Sequence, residues 1–405
     1  MIRINTFFKR AVRKLTKKNA NNVILVKNKN IIDTTINIFG YFDYIFSISS
    51  NARDFVSVAG VSAVDASLVP LRLGHKSICA DRPLLDYYSM PSESANLNLW
   101  FVSFDSINDC YRKNRKWFNG RYNIAVFWWE FEDYFTNIKC FEFLDEVIVF
   151  SSVTHKALQK VVHDKVKLTK LEYPFVIYQS VLLREDVFAK YKLDNNKFCV
   201  LFVFDIHSYI ERKNPLGVAK AFQLAWQENH NLHLIFKITN FELWRSDCQE
   251  FSSYIQSLGI QDNITIISDN LTELQMRELI GACDVYISLH RAEGLGLGML
   301  EAMSMGKPVI ATRFGGNLDF MNDDNSLLVE YSIVEVQKSF ATYQKGFKWA
   351  EPDVEMAAKY LLSLSQDKNL YNKISLCAKE SIARQYDRVK LQQSYLSFFK
   401  AHDAS

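Results

Sequence analysis

The stretch SLHRAEGLGLGMLE, residues 288–301, places three alternating glycines between two glutamates. The run ACDVYISL before it predicts a buried strand, and the run LGMLEAMSMG predicts a helix that ends at Gly306. A glycine-rich turn between a strand and a helix N-terminus suits an anion, because free backbone N–H groups and the positive helix end converge there. The missing Cβ atoms also let a ligand come close. The stretch therefore predicts an α/β fold with a ligand site at this turn.

The two glutamates flank this turn and add hydroxyl-binding groups to it. Glu301 lies about two helical turns beyond Glu293, so both carboxylates can line one side of a cleft. Phosphate-binding amides between two acids indicate a ligand with phosphate and hydroxyl groups, such as a nucleotide sugar. A dinucleotide fingerprint is disfavoured, because Met299 stands where that motif needs a small residue. A simpler alternative is that Glu293 only caps a helix.

Length and composition exclude several classes of protein. A chain of 405 residues is too long for one ordinary core, so we expect two domains. The net charge of +3 argues against nucleic acid as a partner. The seven cysteines have irregular spacing, which indicates reduced thiols in a cytoplasmic protein. No apolar run is long enough to span a membrane, and no signal peptide is evident.

The first 30 residues contain nine Lys and Arg residues and no acid. Apolar residues recur at helical spacing within residues 1–18, which predicts a basic amphipathic helix. Such a helix can lie on an anionic membrane surface, at the inner face of the membrane for a cytoplasmic protein. The alternative is a terminus whose charged face is simply solvated.

Strand-like and helix-like runs alternate along the rest of the chain. The runs TTINIFGY, NLNLWFVSF, YNIAVFWW and EVIVFS predict strands of a first domain over residues 31–180. A polar connection follows at 181–197, and FCVLFVFDI, LHLIFKITN, ITIISDN, DVYISLH and KPVIATRF predict strands of a second domain over 198–375. Residues 376–405 form a final helical segment. Two doubly wound, Rossmann-like domains place a cleft between the carboxyl ends of their strands.

Cations follow two strands of the second domain. Arg212 and Lys213 precede Asn214-Pro215, which is typical of a helix start. Arginine binds phosphate through a fork of N–H groups and lysine binds it as a point charge, so this pair suits a diphosphate. Lys237, at the end of the next strand, is a weaker candidate. The alternative is a pair of solvated surface cations.

In the first domain, NIAVFWWEFED ends a strand with two tryptophans and three acids, the first of which is Glu130. Aromatic faces beside carboxylates are typical of sugar sites. The alternative is two core tryptophans followed by a solvated acidic loop. In the second domain, His290 stands at a strand end beside Glu293. No cluster has metal-ligand spacing and no Asp-x-Asp occurs, so we expect neither a metal nor another cofactor.

The stretch from Ser288 to Met321, SLHRAEGLGLGMLEAMSMGKPVIATRFGGNLDFM, resembles the donor-site signature of retaining glycosyltransferases of the GT-B fold, in the group called family 4. The segments RKNP, LIFKITN, NIAVFWWEFE and KWAEPD are similar to a bacterial subgroup that builds surface polysaccharides such as O-antigen and capsule. That subgroup often adds mannosyl or rhamnosyl units. The resemblance is specific over about residues 198–360 and looser over 34–178.

The resemblance implies roles for several of the candidate residues. Glu293 would contact sugar hydroxyls of the donor, and Glu301 would contact the ribose. Lys213 would neutralise the diphosphate with help from Arg212. The remaining expected donor-binding residues are Ser208, where other relatives often carry an arginine nearby, and Lys237, His290, Gly294, Leu295, Gly296 and Leu297. The last helix would cross back to the first domain.

One segment departs from the family pattern. Many relatives have a glycine-rich loop followed by Ala-Arg near the start of the first domain. Here the matching run is Ser47 to Arg53, in which serines replace the glycines.

The expected function is retaining transfer of a sugar, mannose- or rhamnose-like, from a nucleoside-diphosphate donor to a glycan or lipid-linked glycan. GDP is favoured over UDP or dTDP as the nucleotide. The catalytic residues would be Glu293, Lys213 and Glu130, the last orienting the sugar or acceptor. Two alternatives remain open: an epimerase or phosphorylase of the same fold, and a non-catalytic subunit that binds a nucleotide sugar.

Overall fold

The structure, a computed structural model, describes residues 35–44, 47–59, 65–73, 84–133, 139–177, 182–241, 245–340 and 342–403. Its centre is a pair of six-stranded parallel sheets, one in each half of the chain. Their strand orders are β2-β1-β3-β4-β5-β6 and β12-β11-β10-β7-β8-β9. Helices lie between successive strands, so the predicted α/β fold with two doubly wound domains is confirmed.

The first domain is built on strands β1 to β6. These strands are Thr35–Gly40, Asp65–Pro70, Leu97–Phe101, Tyr122–Val126, Glu146–Val149 and Lys167–Lys170. The helices that accompany them are α1, Ser47–Val58; α2, Ile107–Phe118; and α3, Ser152–Gln159. The central strands are fully buried, whereas Lys167 and Lys170 are exposed on the edge strand β6. Exposed lysines on an edge strand discourage pairing with another chain.

The second domain contains strands β7 to β12. They are Phe198–Asp205, Leu232–Thr239, Ile264–Ile267, Val285–Ser288, Val309–Thr312 and Leu327–Val329. Its helices are α4, Arg184–Tyr191; α5, Ile210–Lys213; α6, Pro215–Glu228; α7, Arg245–Ser257; α8, Glu273–Ala282; α9, Leu297–Ser304; α10, Val354–Gln366; and α11, Lys368–Gln385. The last helix that the structure describes, α12 (Arg388–Asp403), packs on the first domain. A two-stranded antiparallel hairpin, β13 (Tyr331–Glu335) and β14 (Lys348–Pro352), is inserted before α10.

The order of the strands places the ligand site. In the second sheet, the chain moves outward from β7 through β8 to β9, and then returns to the other side of β7 with β10. The crevice beyond the carboxyl ends of β7 and β10 is therefore a topological switch point, where open parallel sheets bind ligands. The cation tract follows β7, and the glycine-rich turn follows β10.

The segment 181–197, which we expected to be a linker, instead contains helix α4. Its polar residues face solvent, but Val187 and Phe188 are buried and the helix packs on α8. Arg184 also forms an ion pair with Asp284, with Nη1 and Oδ1 2.9 Å apart. These contacts attach α4 to the second domain.

The continuous helical pattern over residues 374–402 is divided into two helices. Asp387 accepts a hydrogen bond from the Lys390 N–H at 3.0 Å, which caps the start of α12. Helix α11 packs on α9 of the second domain, whereas α12 packs on α1 of the first. The chain therefore crosses back as predicted, but it crosses near residue 386 and not at 376.

Helix α12 is held on the first domain by aromatic and polar contacts. The Tyr395 and Phe399 rings lie 5.2 and 6.1 Å from that of Phe55. His402 Nε2 is 2.7 Å from Oε2 of Glu146, a carboxylate that is fully buried in the first sheet. Among the helices that the structure describes, none has the length and apolar character that crossing a membrane requires.

Candidate active site

A cleft of about 460 Å³ lies between the two domains. The start of α1 and the carboxyl ends of β3 and β4 form its first-domain wall. The second-domain wall is formed by the ends of β7, β8 and β10, the glycine-rich turn and the start of α8. Most of the predicted site residues line this cleft: Glu130, Ser208, Arg212, Lys213, Lys237, Glu293, Gly294, Leu295, Gly296, Leu297 and Glu301.

The glycine-rich turn needs glycine at two positions for different reasons. Gly296 has φ of +95°, a conformation that side chains disfavour, and it precedes the first residue of α9. Gly298 packs against Tyr286 of β10, since a Cβ there would lie 2.3 Å from the tyrosine Oη. The turn therefore keeps its backbone close to the strand and exposes the N-terminus of α9 to the cleft.

A pair of glycines later in the chain, Gly315-Gly316, packs against the glycine-rich turn. The Gly316 N–H donates to the Glu293 carbonyl at 2.8 Å. A Cβ on Gly316 would lie 2.0 Å from the carbonyl oxygen of Gly294. Our sequence reasoning missed this support, although the Gly-Gly dipeptide was a signal for a close approach of two backbones.

Glu293 lies at the centre of a group of charged side chains that are buried or half-buried. Lys213 Nζ donates to Glu293 Oε2 at 2.5 Å, and Arg212 Nη1 is 3.8 Å from the same oxygen. Burial raises the pKa of Glu293, but Lys213 and Arg212 more than offset this and lower it to about 2. The carboxylate is thus ionised at neutral pH and can accept hydrogen bonds from hydroxyl groups.

The segment Arg212–Asn214 is fixed to the end of β10. Arg212 is 3% exposed and donates to the Ala292 carbonyl at 2.8 Å. Asn214 adopts φ of +56°, caps α6 through the Gly217 N–H, and donates to the Leu289 carbonyl at 2.9 Å. These contacts exclude the alternative that Arg212 and Lys213 are solvated surface cations.

Glu130 approaches this group from the first domain. Tyr343 donates to Glu130 Oε2 at 3.1 Å, and Arg212 Nη2 is 3.8 Å from Oε1. Both tryptophans before it line the cleft, and both also pack in the interior: Trp129 is 3% exposed and belongs to an aromatic cluster, and Trp128 packs against the main apolar core. The two alternatives, a core position and a position at the site, thus hold together for both tryptophans.

Lys237 and Ser208, two further predicted donor-binding residues, have different surroundings. Lys237 is 1% exposed and donates to Thr239 Oγ1 at 3.2 Å; burial lowers its pKa to about 8. Ser208 lines the cleft and its carbonyl accepts from Arg212 Nε at 3.1 Å.

His290 does not belong with the residues that line the described cleft. Its side chain is fully buried, with Nδ1 3.0 Å from Ser288 Oγ and Nε2 2.8 Å from the Phe314 carbonyl. The physical reason is that His290 follows the end of β10, and its two ring nitrogens are held by Ser288 of that strand and by the carbonyl of Phe314 after β11. His290 therefore joins the ends of two strands.

At the other end of the cleft, Glu301 lies near Glu273 and Arg277. Burial raises the pKa of Glu301 to about 7, because Arg277 offsets burial only in part and Glu273 repels a second negative charge. Asp54 of α1 also lines this end of the cleft, and partial burial together with the nearby Glu273 raises its pKa to about 7. At this end of the cleft, carboxylates therefore lie close to two arginines, Arg53 and Arg277.

Several residues that line the cleft were missed by our sequence reasoning. Ser103, Phe104 and Asp105 follow β3, so the rule that places ligands at strand ends could have found them. Tyr343 reaches the cleft through tertiary packing, for which the sequence carried no local signal, whereas Arg53 ends the run that matches the Ala-Arg of many relatives. Over the described residues, no group of three or more His, Cys, Asp or Glu side chains is arranged to hold a metal ion.

Residues 184–381 match the family described as "Glycosyl transferases group 1". A curated relative, the N-acetyl-alpha-D-glucosaminyl L-malate synthase of Bacillus anthracis, is 27% identical over 158 residues. That alignment covers 38% of this chain and only 35% of the relative.

Solved structures show the same fold over most of the chain. Anabaena HepE, crystallised with UDP and glucose, has a TM-score of 0.63 and is 14% identical; the match covers 91% of this chain and 100% of HepE. A sucrose-phosphate synthase from Thermosynechococcus elongatus has a TM-score of 0.61 at 14% identity, with the same coverage. S. aureus TarM has a TM-score of 0.54 at 13% identity, and the match spans 75% of this chain but 55% of TarM.

The fold is therefore GT-B, as the resemblance implied. The match over residues 184–381 supports a glycosyltransferase domain, and these neighbours support the GT-B fold.

Proposed function

We propose that this protein transfers a sugar from a nucleoside-diphosphate donor to a hydroxyl group of a glycan or lipid-linked glycan, with retention of the anomeric configuration. One observation carries the proposal: Glu293, Lys213 and Arg212 converge beside the glycine-rich turn at the switch point of the second sheet. Hydroxyl-binding, phosphate-binding and backbone N–H groups thus meet in one cleft. A mannose- or rhamnose-like sugar and a role in O-antigen or capsule synthesis belong to the same proposal.

Lys213 can bind a phosphate while it keeps its hydrogen bond to Glu293. An ammonium group has three N–H donors, and one of them is directed at Glu293 Oε2. The other two, with the N-terminus of α9, would stabilise the diphosphate as it departs. The C1–O bond to the phosphate breaks with its electron pair moving to the phosphate oxygen. That oxygen then takes the proton of the acceptor hydroxyl while the new C1–O bond forms.

The carboxylates would divide the hydroxyl groups of the donor between them. Glu293 would accept hydrogen bonds from the transferred sugar, and Glu301 would accept them from the ribose. Glu130 would orient the sugar or the acceptor from the first domain. We further propose that transfer needs no metal, since cations and helix-end N–H groups meet the leaving diphosphate. Activity should survive EDTA; a requirement for Mg²⁺ or Mn²⁺ would contradict this part.

A thermal-shift screen followed by a turnover assay tests the proposed function. A ligand at 100 times its Kd adds about 2.7 kcal/mol to the free energy of unfolding, so GDP, UDP and dTDP can be ranked. We expect GDP to stabilise most and its sugars to release GDP in the presence of an acceptor. Release of a free sugar phosphate would favour a phosphorylase. Binding without turnover on any glycan would favour a non-catalytic subunit.

We also propose a cytoplasmic enzyme that sits on the inner face of the membrane through residues 1–18, which lie outside the described residues. Deletion of 1–18 should release the protein from anionic vesicles and leave turnover of a soluble acceptor intact. Equal vesicle binding by both proteins at low and high salt would contradict this proposal.

A further inference from the structure

The hairpin β13–β14 belongs to the second domain but packs on the first. Its aromatic residues and those of two other segments form a cluster that we term the aromatic clamp: Trp129 and Phe131 of the first domain, and Tyr209, Phe340, Tyr343, Phe347 and Trp349 of the second. The ring of Phe131 lies 4.9 Å from that of Tyr343 and 5.5 Å from that of Phe347. The Lys348 N–H also donates to Asp133 Oδ2 at 2.9 Å.

The clamp encloses the segment that carries Glu130. On one side, the Trp129 carbonyl would be 3.2 Å from a Cβ at Gly294, so the glycine-rich turn touches this segment. On the other side, Tyr343 donates its hydroxyl to Glu130 Oε2 at 3.1 Å. The second domain thus contacts the backbone of this segment through the glycine-rich turn and the Glu130 carboxylate through Tyr343.

Tyr343 also faces Arg212. The guanidinium carbon lies 6.0 Å from the centre of the tyrosine ring, and Arg212 is within 3.8 Å of Glu130 Oε1. One oxygen of Glu130 is therefore fixed by the tyrosine and the other lies toward the arginine. A carboxylate has about four lone-pair sites, so two or more remain for hydroxyl groups of a ligand.

We propose that Tyr343 is a positioning residue: it holds Glu130 in the orientation that receives sugar or acceptor hydroxyls, and it does so only when the two domains are closed. This inference rests on the proposed glycosyl transfer. The hairpin β13–β14 is then the element that completes the catalytic site, because it brings the hydroxyl of Tyr343 to a carboxylate of the other domain. A group held in one orientation before reaction lowers the barrier, and a small misplacement raises it.

Tyr343→Phe tests the role of the hydroxyl, because phenylalanine keeps the ring in the clamp and removes the donor. We expect kcat for transfer to fall about 10- to 100-fold, the range for one hydrogen bond to a charged group. The KM for the donor and the Kd for free nucleoside diphosphate should change less than about twofold. The matched control is Tyr331→Phe on the same hairpin, whose ring packs on Phe314 outside the cleft. That control should keep wild-type kcat.

A double-mutant cycle tests whether Tyr343 acts through Glu130. In a Glu130→Ala background, Tyr343→Phe should have little further effect on kcat, because the group that it positions is gone. Additive losses, or a Tyr343→Phe protein with wild-type kcat, would overturn this inference. If the wild-type protein turns over no nucleotide sugar while it binds nucleoside diphosphates, the proposed transfer itself fails, and the two failures are thus distinguishable.

Discussion

Arg53 of the first domain and Glu273 of the second form an ion pair across the cleft, with Arg53 Nε 2.9 Å from Glu273 Oε1. Arg53 is 7% exposed and also donates to the carbonyls of Phe42 and Tyr44. Ser50 accepts from Arg53 at 3.1 Å and lies 3.4 Å from Glu273 Oε1. A serine of the run that replaces the glycines of many relatives thus helps to join the two domains.

We expect Arg53→Ala to loosen this junction. Loss of hydrogen bonds to a charged group should lower the free energy of unfolding by about 1.5–3 kcal/mol in urea titrations. Small-angle scattering should show a larger radius of gyration. The control Arg112→Ala removes an exposed pair with Asp109 on α2 and should cost less than about 0.5 kcal/mol. An unchanged radius together with unchanged stability would mean that the ion pair does not hold the domains together.

Glu293→Gln keeps the size of the side chain and removes its charge. We expect transfer to fall roughly 100- to 1,000-fold, as for loss of one well-placed group in a closed site, or about 2.7–4 kcal/mol. The measurement is kcat with donor and acceptor near saturation. Glu351→Gln is a suitable control, because Glu351 is also paired with an arginine, Arg291, but lies outside the cleft. Near-normal kcat in a well-folded Glu293→Gln protein would refute the assigned role.

Lys213→Ala should weaken binding of free nucleoside diphosphate, since the lysine would contact the phosphates before and after transfer. Loss of one charged hydrogen bond predicts a Kd about 10- to 100-fold higher by calorimetry. Lys220→Ala removes a lysine of α6 that bonds to Gln223 and should leave the Kd unchanged. Equal affinity in the Lys213→Ala and Lys220→Ala proteins would place the phosphates elsewhere.

The raised pKa of Glu301 predicts two opposite pH dependences. Its pKa is about 7 in the folded protein, where burial is the main cause, against 4.5 in an unfolded chain. The folded state binds more protons between these values, so the free energy of unfolding should decrease as pH rises from about 4.5 to about 7. Nucleotide affinity should increase over the same interval, because the ionised carboxylate accepts the ribose hydroxyls.

Glu301→Gln tests both dependences. Urea titrations at about pH 5 and pH 8 should show a smaller decrease in the variant, with a remainder from Asp54, whose pKa is also raised to about 7. The pH dependence of nucleotide affinity should disappear. A nucleotide affinity that keeps its pH dependence in Glu301→Gln would assign that dependence to another group.

The alternation of strands and helices could be predicted because buried parallel strands such as FCVLFVFD are nearly continuous apolar runs. The edge strand KLTK and the exposed hairpin strand YSIVE lack such runs, and both were missed. Helix α4 was taken for a linker because only Val187 and Phe188 of its eight residues are buried.

The residues of the candidate site also differ in whether the local sequence indicated them. Lys213, Glu293 and Glu301 follow strand ends and a glycine-rich turn, so local sequence indicated their positions. Tyr343 and Arg53 reach the cleft only after the two domains have packed on each other. Contacts of that kind depend on residues more than 200 positions apart, as Tyr343–Glu130 and Arg53–Glu273 both show.

Because the chain returns to the first domain near residue 386, two segments of backbone connect the domains, one after β6 and one before α12. The two crossings touch each other: Gln385 Nε2 is 2.9 Å from Glu172 Oε1, and the Tyr386 ring is 5.6 Å from that of Phe175. Two adjacent covalent crossings leave one short axis about which the domains can rotate, and they oppose sliding or twisting. Rotation about this axis would therefore return Glu130 to the same place beside the glycine-rich turn.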